Sequence, residues 1–117
     1  MNSKNIQKEM EDLGYWDARV LQLNCNYFAD EISLLYEDEG FNIMYKFMGC
    51  YKSIFDHQKN YDKMPVKEMD ITQIPYFLQN VEIDKISEDE TIFNICKINM
   101  FPLELEIWCK DIRIVKC

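Results

Sequence analysis

Apolar residues in this chain recur first at helical spacing and then, from Trp16 onward, at every second position. Ile6, Met10 and Leu13 share one face of a helix predicted over residues 3–12, which Ser3 can cap and Gly14 stops. So modest an apolar stripe predicts a helix packed at an edge. In 19–28, Leu21, Leu23, Cys25 and Tyr27 share one face and Gln22, Asn24 and Asn26 the other, the signature of a half-buried strand. A turn near Ala29-Asp30 leads into 31–37, where Ile32, Leu34 and Tyr36 alternate inward. Glu37-Asp38-Glu39-Gly40 is a polar turn, and 41–55 reads as a long strand with Phe41, Ile43, Tyr45, Phe47, Gly49 and Tyr51 on one face. Met44 and Met48, in the opposite phase, predict that this strand is covered on both sides. Three consecutive strands with short turns make a meander.

The stretch 56–67 is charged and irregular, a surface loop. Asp70 or Thr72 opens a predicted short helix through Leu78, with Ile74, Phe77 and Leu78 facing in. A strand over 81–86 and a turn at Ser87-Glu88-Asp89-Glu90 follow. The strand 91–100 is apolar in both phases, which predicts a central position under a helix. Phe101-Pro102 breaks the ladder, because proline cannot donate. In 103–109, Leu103, Leu105 and Ile107 point in and Glu104 and Glu106 out, and Lys110-Asp111 turns into a last short strand, 112–116. The sum is a single domain over 1–117 of the α+β class, mainly antiparallel β: a meander sheet of about seven strands with an N-terminal helix and one short internal helix.

Charge narrows the partners. With 13 basic and 21 acidic residues the net charge is −8. Nucleic acid and anionic membrane surfaces are poor partners for such a chain, whereas a basic protein is its natural complement. The N-terminal stretch has no apolar core of a signal peptide, and no apolar run approaches the roughly 20 residues of a membrane span, so a cytoplasmic location is expected. The five cysteines are odd in number, widely spaced and without a CxxC pair, which argues against disulfides and zinc. Cys25, Cys50 and Cys96 read as buried apolar thiols and Cys117 as terminal and exposed.

Candidate chemistry is sparse. His57 is the only histidine, beside Asp56, with Cys50 seven residues upstream; a solvated loop histidine is the simpler account than a nucleophile–base pair. Glu104 and Glu106 stand about 7 Å apart on one strand face, a separation suited to paired-carboxylate chemistry, but nothing near them drives their pKa values apart. The three glycines form neither GxGxxG nor a phosphate loop, and 56–62 lacks the glycine and final glutamate of a calcium loop. No catalytic residue, metal or cofactor is therefore expected, and the chain reads as a non-enzyme.

The acids themselves are the signal. Glu82 and Asp84 alternate out of one strand and Glu104 and Glu106 out of another, while Glu37, Asp38 and Glu39 cluster in one turn and Glu88, Asp89 and Glu90 in a second. Like charges on a shared face cost stability unless a cationic partner relieves them, or unless Lys46, Lys85 and Lys97 neutralise them locally. Trp108 falls in register with Glu104 and Glu106, as an interface anchor or as a ring covered by one of the helices; Tyr15, Trp16 and Tyr61 lie at element edges. Glu37, Asp38, Glu39, Glu82, Asp84, Glu104, Glu106 and Trp108 are the candidate partner-binding residues.

Trp16-Asp17-Ala18-Arg19-Val20, the acidic hairpin after it, Tyr45-Lys46-Phe47-Met48-Gly49-Cys50-Tyr51, Ile74-Pro75-Tyr76-Phe77-Leu78 and the run from Ile98 to Ile107 together resemble the small acidic immunity proteins encoded beside bacterial polymorphic or contact-dependent toxins. The resemblance covers nearly the whole chain and makes Asp17 a structural residue that fixes the strand entry. It implies a cytosolic protein that binds one cognate toxin domain and occludes its active site. Where that toxin is a nuclease with a basic cleft, the acidic face imitates a phosphate backbone. The alternative is a small interaction domain that forms a homodimer through an edge strand.

Overall fold

The structure is a computed structural model that describes residues 3–59, 64–88 and 91–117. Helix α1 (Ser3–Asp12) buries Ile6 and Met10 and ends where Gly14, at φ +68°, donates its N–H to the Glu11 carbonyl at 3.0 Å. Alternation then builds β1 (Val20–Asn26), β2 (Glu31–Asp38), β3 (Phe41–His57), β4 (Asn80–Glu88), β5 (Thr91–Met100) and β6 (Leu103–Lys116). They form one antiparallel sheet in the order β1-β2-β3-β6-β5-β4. The meander β1-β2-β3 and the hairpins β4-β5 and β5-β6 are thus joined by one long-range pairing, β3 with β6.

Inward phases converge on the face under α1. Ile32, Leu34, Tyr36, Ile43, Tyr45, Phe47, Cys96, Ile98, Leu105, Ile107 and Ile112 form one buried cluster with Met10 and Val81. Tyr36 and Tyr45 meet edge to face at 5.3 Å. The segment after Ile74 closes one side of this core. Asp17 and Val20 donate N–H to Leu78 and Tyr76 carbonyls at 2.7 and 2.8 Å, and Leu78 donates to Ala18 at 2.8 Å. Asp17 makes its bond from a left-handed conformation (φ 63°), one that aspartate tolerates better than most residues.

The outer edge of β4 is capped by side chains. The Gln7 amide donates to the Val81 carbonyl and accepts from the Ile83 N–H, both at 2.7 Å, while the Tyr15 hydroxyl accepts from the Val81 N–H at 3.0 Å. Gln7 and Tyr15 therefore stand in for a neighbouring strand, one way proteins blunt an exposed edge.

Several expectations change. Six strands replace seven, because 112–116 continues β6 across Lys110-Asp111 rather than turning back. The internal helix is two 3₁₀ turns, Val66–Glu68 and Ile71–Gln73, the second capped reciprocally by Asp70 and Gln73; Pro75 then holds the chain extended, and Phe77 bridges Arg19 as a strand residue does. β3 runs through Asp56 to His57, so the loop starts later than its charge suggested. Cys25 is exposed because the far half of β1 lies at the sheet's open edge, and Cys50 is only half-buried, at the irregular stretch of β3; Cys96 and Cys109 are buried. Strand β5 lies next to edge strand β4, not at the centre. The expected Ser3 cap, Tyr61 and the acids Glu88, Asp89 and Glu90 fall outside the described side chains.

Two outcomes follow. Ile107, fully buried at the centre of the core, sets a cavity cost: Ile107→Ala lowers unfolding stability by about 2–5 kcal/mol in urea titration, and a loss below about 1 kcal/mol contradicts this packing. Burial pushes the Cys50 thiol up to about 11 and Cys109 up to about 12. The unfolded chain then loses these protons first, so stability is complete below about pH 8.5 and declines as pH rises towards the folded values. Thermal melts under reductant show Tm falling from pH 8.5 to 11; a flat Tm is the contrary result.

Candidate functional site: the outer sheet face

Among the described residues, no helix or loop covers the face away from α1 over the half of the sheet made by β4, β5, the start of β6 and the end of β3. Cross-strand register arranges it in rows. Asn80, Asn99, Glu104 and Asp56 form the first, Glu82, Lys97, Glu106 and Ile54 the second, and Asp84, Ile95, Trp108 and Lys52 the third. Ile86 beside Phe93 continues the pattern, with Tyr51 against Phe93 at 5.6 Å. Five carboxylates against two lysines leave three rows with a net −3.

The charges are graded across the rows. Asp56 and Glu104 are direct cross-strand neighbours, an unfavourable like-charge pair. Lys97 lies between Glu82 and Glu106, the local neutralisation anticipated from sequence, but Lys85 is out of phase with this face and Lys46 is on the other half of the sheet. Among the described residues, the ion pair within 4 Å is Arg113 with Asp111, both solvent-exposed and distant from these rows. A shallow hollow of ≈ 320 Å³ between the first two rows is lined by Asp56, Asn80, Asn99, Glu104, Glu106 and Ile54 among others.

Trp108 is half-buried in this face, and among the described residues it packs on strand side chains. Its ring stacks on Phe93 at 5.3 Å and 22°, the Lys52 ammonium lies 4.8 Å from its centroid, and its indole N–H donates to a Glu106 carboxylate oxygen at 2.9 Å. The expectation that a helix covers Trp108 fails because β5, not a helix, supplies its packing partner. The ring is held in one orientation by stacking, a cation and a hydrogen bond, which lowers the entropy it has left to lose in a contact.

Lys52, Ile54 and Asp56 keep the outward phase set by the inward Ile43, Tyr45 and Phe47, and the register shift between Cys50 and Lys52 interrupts the alternation only locally. Gly49, at φ +64°, opens the irregularity, and a Cβ there would meet Lys110 at 3.1 Å. Simple alternation places Tyr51 in the inward phase; the bulge exposes it. Ile54, Asp56 and Lys52 join the candidate residues of this face, and period-two alternation carried through β3 is the signal that marks them, opposite in phase to Ile43, Tyr45 and Phe47.

The candidate residues divide. Glu82, Asp84, Glu104, Glu106 and Trp108 share this face. Glu37, Asp38 and Glu39 do not: they form the β2–β3 turn, roughly 35 Å along β3 from Lys52 at about 3.3 Å per residue. There Asp38 accepts from the Glu39 N–H at 2.8 Å, beside a hollow of ≈ 360 Å³ shared with Trp16, Arg19 and Phe77.

Cys50 and His57 stay apart, about 20 Å along one strand. The Cys50 thiol donates to the Phe47 carbonyl at 3.4 Å and burial holds it protonated at neutral pH, while His57 Nε2 lies 2.9 Å from the Tyr76 hydroxyl. Among the described residues no group of His, Cys, Asp or Glu is arranged to hold a metal ion, and no helix is long and apolar enough to cross a membrane.

Fold and surface together define a small sheet protein with one face buttressed by a helix and a broad, acidic, aromatic-bearing face left open. The model of the family "Immunity protein PIM7" matches residues 2–116, and the chain belongs to that family. An immunity protein implies a toxin as its partner. None of the curated proteins matches the chain.

The bulge carries a direct test. Gly49→Ala loses about 1–2 kcal/mol of stability from the left-handed backbone and shifts the near-UV signal of Tyr51 and Trp108. Parent-like stability and spectrum contradict the left-handed backbone assigned to Gly49 and its link to the exposure of Tyr51.

Proposed function

We propose that this protein neutralises its toxin in the cytosol by binding rather than by catalysis, with the rows from Asp56 to Trp108 seated over a basic substrate surface of the toxin. The observation that carries the reading is the cross-strand pairing of Asp56 with Glu104 on the same open sheet face as an orientation-locked Trp108, where five carboxylates outnumber two lysines. A sheet tolerates adjacent like charges poorly, and a cationic partner converts that cost into attraction. A toxin that cleaves nucleic acid has such a surface, because phosphate binding requires clustered Lys and Arg. Carboxylates spaced by the strand repeat of about 7 Å match the spacing of backbone phosphates along one nucleic-acid strand.

Charge and aromatic groups have separable roles. Long-range attraction between −8 on this chain and a basic cleft speeds encounter and weakens with salt. Trp108, with Phe93 and Ile54 around it, supplies desolvated contact and slow release.

The test uses the toxin domain encoded beside this gene. Glu104→Lys with Glu106→Lys slows association about 10- to 100-fold in stopped flow at low salt and flattens its salt dependence, while Lys97→Glu accelerates it. A parent association rate that is unaffected by salt, with all variants at that same rate, contradicts the acidic face as the docking surface.

A further inference from the structure

The β1–β2 turn carries the least expected geometry in the molecule. Tyr27, Phe28 and Ala29 have φ of 53°, 57° and 69°, three consecutive left-handed residues without a glycine or asparagine among them. Hairpin turns that need positive φ select Asn and Gly, because a Cβ is strained there. Turn chemistry alone therefore gives no reason for Tyr-Phe-Ala at this position. Burial gives none either: Phe28 is 108% and Tyr27 74% exposed, the most solvent-accessible large apolar residues of the described chain. The turn is nevertheless fixed. The Asp30 N–H donates to the Tyr27 carbonyl at 3.1 Å, and the Asp30 carbonyl accepts from the Cys50 N–H at 3.0 Å. That second bond ties the turn to the β3 bulge, one residue from Tyr51 and the aromatic row that Tyr51 shares with Phe93 and Trp108.

We propose that the turn at Tyr27–Asp30 is a preformed aromatic plug that enters an apolar hollow on the toxin domain, with a rim of Lys or Arg around it. The proposal rests on the toxin-binding reading above and adds to it a second contact. Strain held in a rigid, exposed segment is a feature of recognition sites, and a turn backbone fixed in advance has little freedom left to lose on binding. The rim chemistry follows from Asp30 and Glu31, which flank the rings at the base of the turn on a chain of net −8. Continuity with the bulge makes the plug and the acidic face adjoining parts of one docking surface. The plug governs release, whereas the acids govern encounter.

Both rings are exposed, so their variants fold as the parent does. Phe28→Ala and Tyr27→Ala speed dissociation from the neighbouring-gene toxin domain about tenfold or more each, and leave the association rate and its salt dependence unchanged. A second variant relieves strain: Tyr27→Asn with Phe28→Gly raises Tm by several degrees while the complex dissociates faster, an opposition that a purely structural turn does not produce. Parent-like dissociation in all three variants overturns the plug, even if the acidic-face variants behave as expected. If the parent chain does not bind that toxin domain at all, the toxin-binding reading itself fails and the plug with it. Two other results overturn the assignment of the occupant: self-association in sedimentation that Phe28→Ala abolishes, and binding to neutral phosphatidylcholine vesicles that depends on Phe28.

Discussion

The pairing of β3 with β6 is the constraint on which the rest of the molecule depends. It joins the β1-β2-β3 meander to the β4-β5-β6 half, and it runs from Ile43 opposite Lys116 to His57 opposite Leu103. Without it the chain is two hairpin systems, each too small to bury both of its faces. Register along this pairing fixes which side chains share a face. It puts Phe47 with Ile112 in the core, and Asp56 with Glu104 and Lys52 beside Trp108 in the open. The break in that register between Cys50 and Lys52 exposes Tyr51 and lies beside the Cys50 N–H that anchors the Tyr27–Asp30 turn.

Stability and function pull against each other in visible places. Asp56 next to Glu104, three left-handed residues in one turn and two solvent-exposed rings all lower the stability of the free chain. Each lies on the uncovered side or at its border. The covered side shows the opposite economy: a continuous apolar cluster, an edge strand capped by Gln7 and Tyr15, and a helix ended by Gly14. Local consistency on one side and local conflict on the other is the pattern expected of a binding protein whose partner is external.

Much of this was legible from residue pattern. The helix over 3–12, the meander, the inward set Ile32, Leu34 and Tyr36, and the outward pair Glu104 and Glu106 follow from periodicity alone, because a strand with one buried face records its register in every second residue. The family resemblance, drawn from structural motifs across the chain, agrees with the family match. What was not legible is what periodicity cannot encode. A local irregularity leaves composition unchanged, so Tyr51 read as core, while charge made Asp56 read as loop although β3 runs on to His57. The 70–78 segment has helical spacing, but Pro75 and its pairing with Asp17–Val20 override it. Glu37, Asp38 and Glu39 read as part of one acidic surface because sequence proximity to a turn says nothing of its distance from another strand's face.

Hydrogen–deuterium exchange of the free chain against its complex with the neighbouring-gene toxin domain locates the docking surface. Exchange slows on complex formation in the end of β3, in β4 and β5, at the start of β6 and in the turn after β1, with α1 unchanged. Protection confined to α1 and the 66–78 segment, with the outer-face strands unaltered, would contradict this placement.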